Sequence, residues 1–202
     1  MRVGIFGGTF NPPHLAHLIC GQEAYLGLGL DRVMLVPARV PPHKAVEEEP
    51  GAEHRLELCR LAVRGDERFE VSDLEMDRSG PSYTVDTLQE LHSRAPDNEL
   101  FLIVGGDIAA GLPEWHEPEH VLSLATLAVA KRRGTPQAKI EQALSGLRGG
   151  DRSTFFAMPT IGLSSTMIRR RVSSGTPIDY FVPEAVSHYI HHHQLYRSVA
   201  HQ

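Results

Sequence analysis

The architecture is decided by Val3-Gly4-Ile5-Phe6-Gly7-Gly8-Thr9-Phe10-Asn11-Pro12-Pro13-His14-Leu15-Ala16-His17. Val3 to Phe6 reads as a short buried strand, and the apolar spacing that begins at His14 predicts a helix to about Leu28. Working outward, strand-like runs recur at Arg32–Val36, Phe69–Val71, Leu100–Val104, Leu127–Ala130 and Thr154–Ala157. Helical spacing fills the intervals at Glu53–Val63, Tyr83–Leu91 and near Ala138–Leu147. Strand–helix alternation of this kind implies one doubly wound, Rossmann-like parallel sheet with helices on both faces. No repeat, low-complexity tract or composition break divides the 202 residues, so a single domain over 1–202 is expected. Its C-terminal helical segment, about 162–197, is expected to pack on the sheet.

In such a sheet, ligands bind beyond the carboxyl ends of the strands, where the strand order reverses. Attention therefore falls on the loops after residues 6, 36, 71, 104, 130 and 157. The first of these has the chemistry of a phosphate site. Gly7 and Gly8 let backbone approach a ligand, and the helix start supplies N–H groups and the positive end of a dipole. The two common phosphate motifs are absent: there is no Gly-x-Gly-x-x-Gly, and Lys44, Lys131 and Lys139 stand in no Walker A context. His14 and His17 take their place, three residues apart on one helix face, where imidazoles can donate to phosphate oxygens. Two plainer readings stay open on these residues alone. The pair could bind zinc, although the loop offers no third Cys, Asp or Glu ligand, or it could be ordinary polar helix surface.

Composition sets the outer limits. With 41% hydrophobic and 22% charged residues the chain is an ordinary globular protein. Its formal net charge of −5 argues against a nucleic-acid or anionic-membrane surface. No apolar run reaches the length of a membrane span, and a strand starting at Arg2 leaves no room for a signal peptide. Cys20 and Cys59 both fall in helical stretches and read as buried small hydrophobes, which suits a reduced, cytoplasmic setting.

Other segments add candidates. Ser164 and Ser165 are N-cap residues before a helix carrying Arg169-Arg170-Arg171, so hydroxyls and N–H groups there, with Arg169 one turn inside, would hold a β- or γ-phosphate. Against that stands a merely capped helix with a solvated basic face. Lys44 lies in a Pro-rich loop near the same sheet edge and reads either as a phosphate clamp or as a solvated charge. Asp107 ends a buried strand, where a carboxylate accepts ribose hydroxyls or a magnesium-bound water. Trp115, the single tryptophan, is a core residue or a stacking surface for a pyridine ring.

Gly7-Gly8-x-Phe10-x-Pro12-x-His14-x-x-His17 resembles the signature of the HxGH nucleotidyltransferase superfamily, whose members transfer a nucleotidyl group from ATP or CTP and release pyrophosphate. Ala16 stands where the superfamily pattern has glycine. Pro37-x4-Pro42-His43-Lys44, Ser82-Tyr83-Thr84-Val85-Asp86-Thr87-Leu88, Gly105-Gly106-Asp107 and Ile161-Gly-Leu-Ser164-Ser165-Thr166-x-Ile168-Arg169 narrow the resemblance. With the ending Tyr180-x-Val182-Pro183 to Arg197, they are similar, in order and over nearly the whole chain, to the bacterial nicotinate-nucleotide adenylyltransferase family.

That resemblance implies a division of labour. ATP would be held by Gly7, Gly8, Thr9, Phe10, His17, Gly105, Asp107, Ser164, Ser165, Thr166 and Arg169. Nicotinate mononucleotide would be held by Lys44, Tyr83, Thr84, Trp115 and Arg132, with main-chain N–H groups receiving the ring carboxylate. His14, His17, Lys44 and Arg169 would stabilise the transferring phosphate. Mg²⁺ would arrive with ATP rather than on protein ligands, and no tightly bound organic cofactor is implied. Arg133 stands where many relatives have proline. Sister enzymes acting on the amide nucleotide or on phosphopantetheine, and a silent nucleotide sensor, are the alternatives; monomer and homo-oligomer remain open. Three consecutive histidines, His191-His192-His193, point about 100° apart on a helix and cannot share a metal well.

Overall fold

The computed structural model describes residues 1–41, 50–131 and 135–197. Six parallel strands form one sheet: β1 (Arg2–Gly8), β2 (Arg32–Pro37), β3 (Phe69–Val71), β4 (Glu99–Gly105), β5 (Thr126–Lys131) and β6 (Thr154–Ala157). Their spatial order is β3-β2-β1-β4-β5-β6, so the chain reverses its winding between β1 and β4. This is the doubly wound α/β architecture that the alternation predicts.

Eight α-helices accompany the sheet among the described residues: α1 (Leu15–Leu28), α2 (Ala52–Ala62), α3 (Thr84–Arg94), α4 (Gly106–Ala110), α5 (Pro118–Leu124), α6 (Gln137–Leu144), α7 (Ser165–Ser173) and α8 (Glu184–His192). The period-two pattern of the strands splits the core in two. Val3, Ile5, Leu100, Leu102, Val104, Leu127 and Val129 face α3, α5 and α6 through Val85, Leu88, Val121, Leu122, Ile140 and Leu144. Val33, Phe101, Ile103, Ala128 and Ala130 face α1 through Cys20 and Ala24. α1 lies close because Gly21 faces Phe69; a Cβ there would sit 2.5 Å from the ring. The helix stops at Gly29, whose φ of +60° supplies the left-handed cap.

Two regions are built differently from the strand–helix units. The stretch between Gly106 and Leu124 folds into α4, a 3₁₀ turn at Leu112–Glu114 and α5, where the sequence pattern marked no element. The C-terminal segment does not take its apolar partners from the sheet. Ile168, Val172, Ile178, Val182, Val186 and Ile190 cluster with Leu58, Leu61 and Ala62 of α2 and with Leu18 of α1, and no strand residue belongs to that cluster. The reason lies in α2, which is apolar on two sides. Cys59 meets Leu35 and Phe10 toward the sheet, while Leu58 and Leu61 offer an outer surface that α7 and α8 cover.

Candidate active site

The reversal between β1 and β4 puts two loops side by side at the carboxyl edge of the sheet, and a cleft of about 520 Å³ opens there. His14, Ala16, His17 and Cys20 form one wall, Gly105, Gly106, Asp107 and Ile108 a second, and the 158–163 stretch a third. The α1 residues line it because 16 and 20, and 17 and 20, are one helical turn apart.

The loop after β1 is braced from several sides. Phe10 takes a φ of +47°, uncommon for a side chain of that size, and its ring is buried between Phe6 (centroids 5.7 Å apart) and His17 (5.1 Å). Phe10 therefore forms the bed under His17, and its ring does not reach the cleft surface. Ser165 donates its hydroxyl to the Pro12 carbonyl at 2.8 Å, and Arg169, itself buried, donates to the Asn11 carbonyl at 3.0 Å. Arg55 of α2 donates to the Thr9 carbonyl at 3.0 Å. The Leu15 N–H at the start of α1 is bonded to the Phe181 carbonyl at 3.0 Å, so that member of the helix-start donor set is engaged within the protein.

His14 is the N-cap of α1 and His17 its third residue. Their rings stack with centroids 3.7 Å apart. Burial pushes His14 down to about 4. Burial first, and the neighbouring His14 second, hold His17 well below the ordinary histidine range. Both imidazoles are neutral at pH 7. The Nδ1 of His17 accepts the His14 main-chain N–H at 3.2 Å, which assigns the ring proton to Nε2. A neutral ring so oriented is a hydrogen-bond donor without carrying charge.

Of the remaining ATP candidates, Gly105 and Asp107 line the cleft, Gly7 and Gly8 end β1, and Thr9 opens the adjoining loop. Ser164 is the N-cap of α7 and accepts from the Met167 N–H at 3.2 Å, while Thr166 is exposed in the first turn. The residues expected on the mononucleotide side gather elsewhere. Thr84 opens α3, Tyr83 and Trp115 rest partly buried on the larger core cluster, and Tyr83 lies 4.5 Å from His116. Lys44 and Arg132 lie outside the described residues. No group of three metal-ligating side chains occurs among the described residues, the His191–His193 run included; in that run His193 packs its ring on Tyr189 and His54. Nor is any described helix long and apolar enough to cross a membrane.

The Cytidylyltransferase-like family model matches residues 5–171. A Thermus thermophilus protein named probable nicotinate-nucleotide adenylyltransferase is 46% identical over 197 residues, covering 98% of this chain and 100% of that protein. The Bacillus subtilis nicotinate-nucleotide adenylyltransferase is 38% identical, covering 98% and 99%. The chain belongs to the nicotinate-nucleotide adenylyltransferase family. The fold is shared more widely: a Plasmodium falciparum nicotinic acid mononucleotide adenylyltransferase, complexed with NaAD, superposes with a TM-score of 0.79 at 18% identity, covering 96% of this chain and 97% of that one.

Within this adenylyltransferase family member, sequence reasoning missed several residues of the site region. Phe6, Cys20, Ala130, Thr135, Met158, Thr160, Ile161 and Leu163 line the cleft without having been assigned to it. Cys20 was within reach, being one turn beyond His17. Arg55 was also missed. It sits four residues before Cys59 on the sheet-facing side of α2, a position where a charged residue signals a buried polar role.

Proposed function

We infer that this protein is an adenylyltransferase joining ATP and nicotinate mononucleotide to give nicotinate adenine dinucleotide and pyrophosphate, a step of NAD biosynthesis. The names of its relatives support the substrates. The observation that carries the chemistry is the stacked, neutral His14–His17 pair in the cleft between β1 and β4, with the His17 Nε2–H available as a donor.

In this reading the mononucleotide phosphate oxygen attacks the α-phosphorus of ATP in line. One P–O bond forms as the α–β bridging P–O bond breaks, and pyrophosphate leaves with the electron pair. A phosphate monoester is already an adequate nucleophile near pH 7, so the protein's work is positioning and charge stabilisation. Gly7, Gly8, Thr9, Phe10, Gly105, Asp107, Ser164, Ser165 and Thr166 hold ATP, Phe10 and Ser165 by their main chains. His14 and His17 donate to oxygens on which charge accumulates, with Arg169 and Lys44 supplying positive charge. Tyr83, Thr84, Trp115, Lys44 and Arg132 hold the mononucleotide.

Magnesium carried on the ATP phosphates fits this donor set. Asp107 is the one carboxylate lining the cleft among the described residues, and Mg²⁺ is characteristically held by one or two carboxylates, waters and substrate phosphates. Asp107 would accept hydrogen bonds from water carried by that ion, which would supply charge neutralisation. The proposed enzyme is one domain acting in the cytoplasm.

Pyrophosphate release from ATP, followed in parallel with nicotinate mononucleotide, its amide and phosphopantetheine, tests the reading. Turnover with the acid nucleotide is expected to exceed the others. Equal or greater turnover with the amide or phosphopantetheine reassigns the acceptor, and no release with any acceptor leaves a nucleotide sensor.

A further inference from the structure

Arg55 is 1% exposed, a full charge at a depth ordinarily kept for apolar side chains. Its guanidinium reaches two loops at once. Nη1 donates to the Thr9 carbonyl at 3.0 Å and to the Ala38 carbonyl, and Nη2 donates to the Arg39 carbonyl at 3.0 Å. Thr9 belongs to the phosphate loop after β1, whereas Ala38 and Arg39 follow β2. The Ala38 N–H donates to the Gly8 carbonyl at 2.9 Å and ties the same two loops a second time.

The contact chain continues toward α3. The Ser82 hydroxyl accepts from the Arg39 and Val40 N–H groups at 3.1 and 3.3 Å, and the Ser82 N–H donates to the Val40 carbonyl at 2.9 Å. Tyr83 and Thr84 follow directly. One unbroken run of hydrogen bonds thus joins Thr9, on the ATP side, to the start of α3, on the mononucleotide side. The guanidinium spreads these bonds over two terminal nitrogens held in one plane, whereas a lysine ammonium would have to draw all three carbonyls to a single nitrogen.

We propose that Arg55 is a positioning residue that couples the two nucleotide subsites, so that occupancy of one sets the loop geometry of the other. This rests on the two-substrate reading given above. Coupling between sites is reciprocal and is measured as a change in affinity, a quantity that a purely structural arginine would not move. Stability alone does not discriminate, because removing any buried guanidinium destabilises.

The test uses the intact protein and an ATP analogue with a methylene bridge between the α and β phosphorus atoms, which cannot turn over. Its dissociation constant is measured by calorimetry with and without nicotinate mononucleotide. In the unmutated protein the mononucleotide is expected to tighten the analogue by about fivefold or more, in the usual range of coupling between sites. In Arg55→Lys, and in Ser82→Ala as a milder second variant, the factor is expected to fall below about twofold. Hydrogen exchange adds an activity-independent readout. The analogue alone should slow exchange in peptides covering 35–41 in the unmutated protein but not in Arg55→Lys, while protecting 5–14 in both. A folded Arg55→Lys with the full coupling factor overturns the proposal, as does an unmutated protein in which the analogue leaves 35–41 unaffected. Should Arg55→Lys not fold, Ser82→Ala decides by the same two readouts. Failure of the mononucleotide to bind at all strikes at the proposed function, and the exchange experiment still decides the coupling.

Discussion

Two buried polar networks flank the carboxyl edge of the sheet, and they are wired in opposite senses. Around the β1 loop, Arg55, Arg169 and Ser165 donate to the main-chain carbonyls of Thr9, Asn11 and Pro12. Cations and a hydroxyl occupy the loop's oxygens there, and Asp107 is the one carboxylate on the cleft wall among the described residues. Between β3 and α3 the centre is a carboxyl group. Thr87 donates its hydroxyl to Glu75 Oε1 at 2.6 Å and accepts from Arg78 Nη1 at 3.0 Å, while Arg78 Nη2 pairs with Glu90 at 2.7 Å. Glu75 is 6% exposed, and its Oε2 has no hydrogen-bond partner among the described residues. The first network suits an incoming polyanion. The second shapes a loop and leaves recognition to the aromatic rings and main chain that follow it. A protein with a net charge of −5 can therefore hold two anionic substrates, because the sign of the local field is set loop by loop.

The contrast is broken most severely at His17. Replacement by alanine removes the Nε2–H donor and should lower kcat by about 10²–10³-fold, as for loss of one transition-state donor, with a smaller change in KM. Steady-state pyrophosphate release measures both. A His17→Ala enzyme with near-normal kcat would show that the cleft merely binds ATP and that the donor set of the first network is not used in the reaction.

Much of this was legible beforehand, and the reason is local encoding. The strands announce themselves by apolar runs, and the His14/His17 pair and Ser164 as N-cap follow from spacing over three or four residues, whereas Asp107, expected to end a strand, lies two residues past β4 in the first turn of α4. What escaped depends on distant partners. Ser165 reads as a phosphate donor, yet its hydroxyl is on Pro12, 153 residues away in sequence. The outer face of α2 reads as amphipathic without saying that α7 and α8, rather than the sheet, will cover it. α4 and α5, of five and seven residues, are too short for periodicity to show against intervening glycine and proline. Arg55 was missed because three carbonyls in two separate loops leave no trace near position 55.

Opposite wiring also gives opposite responses to pH. His14 titrates near 4 when folded against 6.5 as a free side chain, so the unfolded chain binds the extra proton. Its contribution is complete above the unfolded value and is lost as pH falls through about 4, a change of roughly 3 kcal/mol in stability. Urea melts between pH 7 and 4 should show that loss together with the one from His17, and His14→Gln should remove only the His14 share. Equal slopes for the two proteins would mean that the stacked pair is not buried as described.

The smallest expected effect lies in the second network and runs the other way. Burial raises the Glu75 carboxyl above its usual range, against the lowering effect of its hydrogen bond from Thr87 and of the nearby Ser82 hydroxyl and Arg78, while Asp86 adds to the rise. The folded state then holds this proton more tightly than the unfolded one, so the contribution is present below 4.5 and is lost as pH rises through the folded value. Glutamine keeps the shape and an acceptor for Thr87 but cannot ionise. Stability of Glu75→Gln relative to the unmutated protein should therefore climb as pH is raised from 5 to 9, while ATP affinity stays within about twofold, under ~0.5 kcal/mol. A flat difference curve would remove the asymmetry between the networks. A large loss of ATP affinity would instead make Glu75 a direct support of the β1 loop.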